Sequence, residues 1–139
     1  MKMMLFLALA ATPTLAQTAP PAGYFVGTYE LIGRGPGPDF EPLSDMIKMQ
    51  TSNDEFPLAL STCHGAAGDL FVALDVMEGG PPLTGHLGGS TIYCYVQNNG
   101  DNYPILSCYS DPAGGEMPGL FTLWPSNESP GPASLKECP

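Results

Sequence analysis

The chain has 139 residues, with four Lys and Arg against 14 Asp and Glu, a formal net charge of −10. That balance excludes nucleic acid and anionic membrane surfaces as natural partners, because both would repel it. Gly (17) and Pro (16) are about twice as frequent as in ordinary globular chains, which demands many turns and leaves little room for long helices.

Lys2, the apolar run Met3 to Ala11, the breaker Pro13 and the small residues Thr14-Leu15-Ala16 form a signal-peptide pattern over 1–16, with cleavage expected before Gln17. The apolar run is too short to cross a hydrocarbon core about 30 Å thick, so a leader rather than an anchor is expected, with no membrane insertion. The expected address is exported, periplasmic or extracellular, and the four cysteines Cys63, Cys94, Cys108 and Cys138 are read first as disulfide partners.

Residues 17–22 read as a Pro-rich linker, 23–124 as a single β domain and 125–139 as a Pro/Ser/Gly-rich tail tied down through Cys138. Alternation places Phe25, Tyr29 and Leu31 on one face of a first strand, ended by Gly33 to Pro38. Residues 41–50 fit either a helical turn started by Pro42 or a strand. We lean to one helical turn followed by a strand. Phe56, Leu58 and Leu60 alternate up to Cys63, with Pro57 placing that strand at an edge or itself near the strand's start. Leu70, Val72, Leu74 and Val76 form a regular apolar comb, and Leu83 to Gly89 is expected to be a surface loop carrying His86.

A hairpin follows, Thr91–Gln97 and Tyr103–Tyr109 around Asn98-Asn99-Gly100-Asp101-Asn102. A two-residue Asn99-Gly100 turn sets Cys94 opposite Ile105 and puts Cys108 on the other face. A three-residue loop sets Cys94 opposite Cys108 and brings Tyr93, Tyr95, Tyr103 and Tyr109 to one side. Of the three possible pairings we favour Cys63 with Cys94 and Cys108 with Cys138, since a terminal staple gives the tail a use. The last strand is Gly119 to Trp124. The whole reads as an all-β fold, a small antiparallel sandwich or open barrel of about six to seven strands, disulfide-stapled.

Chemistry-bearing motifs are thin. Cys63-His64 resembles the end of a haem-attachment C-x-x-C-H, but Leu60 stands where the first cysteine belongs. As a nucleophile and base the pair is badly placed, because neighbours on a strand point to opposite faces. Asp39, Glu41, Asp45, Asp54 and Glu55 crowd one stretch without the alternation of a calcium loop. Asp69, Asp75 and Glu78 come with no sign of a sugar cleft. Asn127-Glu128-Ser129 fits a glycosylation sequon. No cofactor is implied.

Two surfaces remain. Tyr93, Tyr95, Tyr103 and Tyr109 offer large rings with polar tips, a recognition surface for a protein or small ligand. Met46, Met49, His64 and His86 supply the thioether and imidazole donors that suit copper or another soft metal, with Met46 and Met49 one helical turn apart. The leading expectation is an exported non-catalytic binding module, inhibitor-like or envelope-associated. A periplasmic soft-metal-binding protein is the alternative, and an enzyme of unknown class the second alternative.

Overall fold

The computed structural model describes residues 20–52, 56–72, 83–97, 104–112, 114, 116–126 and 137–138. The expected leader, Met77, Asp54, Glu55, Asp75, Glu78, the sequon and Tyr103 with its loop lie outside the described residues.

Eight antiparallel strands close into an up-and-down barrel in which every strand pairs with its sequence neighbours and the last returns to the first. They are β1 (Gly27–Arg34), β2 (Pro42–Thr51), β3 (Leu58–Thr62), β4 (Ala67–Val72), β5 (Leu83–Leu87), β6 (Ser90–Gln97), β7 (Ile105–Asp111) and β8 (Gly119–Pro125). Closure through Leu31 opposite Leu123 and Gly33 opposite Phe121 leaves no free sheet edge.

The expectation of six to seven strands is corrected to eight. Residues 42–51 form one strand, so the helical turn expected from Pro42 is absent there. Both readings turn Ile47 inward, but only the strand also buries Met49 and lets the two pair across to Tyr29 and Gly27 of β1. The stretch expected as a loop around His86 is β5, with Leu83 buried and His86 exposed on the outer wall. Its alternation is hard to see because the middle inward position is Gly85. A Cβ there would run into the Asp69 carbonyl of β4, and one on Gly68 would run into the His86 carbonyl, so two glycines let these walls approach.

An eight-stranded barrel has an interior just wide enough for side chains to fill. Tyr29, Leu31, Ile47, Met49, Leu58, Leu60, Leu70, Leu83, Ile92, Leu106, Phe121 and Leu123 fill it. Each fully buried Leu or Ile contributes roughly 1.5–3 kcal/mol relative to exposure. A 3-10 turn at Ala22–Phe25 closes one rim, with Phe25 buried and its carbonyl accepting from the Tyr29 hydroxyl at 2.7 Å. Burial pushes the Tyr29 phenol well above its usual pKa, with a smaller push from Tyr24. Pro57 immediately precedes β3, where its missing N–H costs no ladder bond.

The cysteine pairing is also corrected. Cys94 bonds Cys108, and Cys63 bonds Cys138. β6 and β7 adopt the register of the longer hairpin loop, in which Cys94 and Cys108 are direct partners with Cα atoms 4.1 Å apart inside the barrel. That register excludes the expected Cys63–Cys94 and Cys108–Cys138 bridges. Cys138 is exposed and holds the C-terminus to the β3–β4 turn. Two disulfides fit an oxidising compartment. Among the described residues no helix is long and apolar enough to cross a membrane.

Candidate functional site

Because paired residues share a face, the register of β5 to β8 and β1 dictates what the outer wall presents. Tyr93 of β6 faces Tyr109 of β7, Tyr109 faces Leu120 of β8, and Leu120 faces Arg34 of β1. The Tyr93 and Tyr109 rings stack with centroids 4.8 Å apart. Arg34 continues the line into the β1–β2 loop, its guanidinium carbon 4.4 Å from the centre of the Phe40 ring. A second row runs Tyr95, Ser107, Thr122 and Ile32, and Trp124 lies one step further, opposite Glu30.

Among the described residues the exposed large apolar side chains are Ile32, Phe40, Leu43, Tyr95, Met117, Leu120 and Trp124. All belong to β6, β8, β1, the start of β2 or the loops that join β1 to β2 and β7 to β8. The outward positions of β3 to β5 are instead Ala59, Ser61, Ala67, Asp69, Phe71, Thr84 and His86, so Phe71 is the one large apolar residue at an outward position of these strands. Scattered apolar groups on a surface need no explanation, but these gather on one wall. Ile32 at 59% and Trp124 at 53% exposure are costly places for such side chains unless something covers them.

The face is acidic at its margins. Arg34 is its one cation among the described residues, against Glu30, Asp39, Glu41, Asp111 and Glu116. Partial burial and the neighbouring Tyr95, Tyr93 and Asp111 raise the Tyr109 phenol above its usual pKa.

The β1–β2 loop is shaped for display. Phe40 has φ of 47°, the one positive value on a non-glycine among the described residues, a conformation that costs about 1–3 kcal/mol in a bulky residue. Gly35 N–H donates to the Glu41 carbonyl and Gly37 N–H to the Met117 carbonyl, both at 2.8 Å, so the loop is clamped to itself and to the β7–β8 loop.

The metal candidates do not converge. Met49 is fully buried in the barrel while Met46 lies on the opposite face of the same strand, which corrects the one-turn approach expected of them. His86 is on the outer wall of β5, opposite Asp69. His64, in the β3–β4 turn, donates through Nδ1 to Asp45 Oδ1 at 2.8 Å. Burial alone would raise the Asp45 carboxyl, but the His64 hydrogen bond, the Met46 N–H at 2.7 Å and the His64 charge outweigh it and hold it below the usual range. Among the described residues no group of three His, Cys, Asp or Glu could hold a metal ion. The Cys63 sulfur is bonded to Cys138, so it offers no thiolate beside His64.

Of the expected tyrosines, the structure brings Tyr93, Tyr95 and Tyr109 to one wall. Ile32, Leu120, Trp124, Phe40 and Met117 were missed, although the first three occupy outward positions of alternating strands. No family model, no curated protein and no solved structure matches the chain.

Proposed function

We propose that the protein is an exported, non-catalytic binding module that captures a protein partner on the outer wall formed by β6, β7, β8 and β1. The observation that carries this reading is the segregation of exposed apolar side chains. Tyr95, Leu120, Trp124 and Ile32 gather on this wall, while the outward positions of β3 to β5 are small or polar apart from Phe71. Tyr and Trp give large contact area at little entropy cost, and the barrel beneath them is packed and cross-linked, so the surface is rigid before a partner arrives.

The test compares the wild-type chain with Tyr95→Ala/Trp124→Ala and with a control on the far wall, Ser61→Arg in β3. Each is immobilised and challenged with extract from the exported compartment, and any captured protein is purified and titrated back. A partner lost by the first variant and kept by the control supports the module. Equal capture by all three proteins, with their folds intact by circular dichroism, removes this wall from consideration.

A further inference from the structure

Phe40 breaks the usual bargain of a strained residue. Its backbone lies in the left-handed region, yet the ring is 40% exposed and so gains little burial in return. Three separate contacts hold it there: the Gly35–Glu41 and Gly37–Met117 backbone bonds and the Arg34 guanidinium over the ring. Acids flank it on both sides in Asp39-Phe40-Glu41, and the clamped partner loop repeats the motif in Glu116-Met117.

From Phe40 the row Arg34, Leu120, Tyr109, Tyr93 runs across four strands. Three inter-strand steps of about 4.8 Å make this row roughly 14 Å long, the length of about ten helical residues. The Arg34 guanidinium is the one cation of this row, held over the Phe40 ring, and the acids around the row are Asp39, Glu41, Asp111 and Glu116, with Glu30 beyond Ile32 on β1.

We infer that the occupant of this face is a cationic amphipathic polypeptide segment of about three helical turns, and that Phe40 is the side chain that inserts between its apolar residues while the bordering acids meet its lysines and arginines. The inference rests on the wall being a binding face and adds the partner's chemistry and the anchoring residue. Apolar insertion supplies affinity, and the acidic border selects against neutral or acidic segments.

The experiment uses the full exported chain and three synthetic peptides of about 14 residues. One is a Lys/Leu sequence patterned as an amphipathic helix, one an all-Lys peptide of equal charge and one a Glu/Leu peptide of the same pattern. Trp124, the single tryptophan of the chain, reports binding through its emission. The Lys/Leu peptide is expected to bind at least about tenfold more tightly than either other peptide. Phe40→Ala is expected to weaken it by about tenfold or more and Phe40→Tyr by less than about threefold.

Equal binding of the all-Lys peptide would reduce the effect to bare charge and overturn the inference, as would no binding by any peptide. Binding lost in Tyr95→Ala yet untouched by Phe40→Ala would overturn the role of the loop while leaving the wall as a binding face. If Phe40→Ala does not fold, Asp39→Asn/Glu41→Gln serves in its place. It is expected to weaken the Lys/Leu peptide and flatten its salt dependence, and unchanged affinity would overturn the acidic border.

Discussion

Tyr93 stacks on Tyr109 outside the barrel because Cys94 lies directly opposite Cys108 inside it. One register decides both, so the inner cross-link and the outer aromatic row are two faces of the same pairing. Replacing both cysteines, Cys94→Ala/Cys108→Ala, is expected to cost about 3 kcal/mol through chain entropy, and more through the space left in the core. Denaturant unfolding measures the loss. Ring-to-ring contacts between Tyr93 and Tyr109 should survive in the NMR spectrum, since the ladder and not the bond sets the register. Their disappearance would show that the bond sets it.

The two disulfides differ in access to a reductant. Cys94 is fully buried and Cys108 nearly so, whereas Cys138 is exposed and Cys63 half-buried. Thiol exchange requires an attacking thiolate to reach a sulfur, so mild reduction is expected to open Cys63–Cys138 first and leave the barrel folded. Alkylation with mass spectrometry over a reductant series checks the order, and simultaneous loss of both would contradict it.

β5 makes a sharp mutational contrast. Leu83→Ala is expected to destabilise the barrel by about 2–5 kcal/mol, and His86→Ala, three residues along on the outer wall, by no more than about 0.5 kcal/mol. A surface loop at 83–87 would make both changes small. Chemical denaturation of the two variants distinguishes the cases.

Asp45 sets a pH dependence of known sign. Its folded pKa is depressed, so it binds protons more weakly in the native state than in the unfolded chain, where the value is about 3.9. The stability it lends is complete above that unfolded value and is lost as pH falls through the lower folded one. Asp45→Asn should therefore lower stability at pH 7 and flatten the acid limb of the stability curve below about pH 4. His64→Ala should flatten it in the same direction, because the same hydrogen bond is removed. Thermal melts from pH 2 to pH 7 measure both, and an acid limb unchanged in either variant would contradict the assignment.

The class of the fold was legible because alternation is a local property. Tyr29 and Leu31, Leu58 and Leu60, and Ile92 and Cys94 show inward spacing without reference to any other strand. β5 hid behind Gly85, an inward position with no apolar side chain to mark it. β2 was ambiguous because Leu43, Met46 and Ile47 fit one face of a helical turn while Ile47, Met49 and Thr51 fit one face of a strand over the same short span. The cysteine pairing turned on a single residue of hairpin length, which a favoured Asn-Gly pair does not determine. The exposed apolar wall was least legible of all. Ile32 and Trp124 stand at opposite ends of the chain, and only closure of β1 against β8 makes them neighbours.

That closure also has a meaning in time. Among the described strands β1 comes first in the chain and β8 last, so until Pro125 has emerged those strands can form at most an open ribbon with two unpaired edges. The Cys63–Cys138 bond waits longer still, for a cysteine 75 residues further along the chain. Closure is thus tied to β8: a product cut short before it would hold most of the described strands and yet have neither the β1–β8 seam nor the apolar wall that the seam assembles.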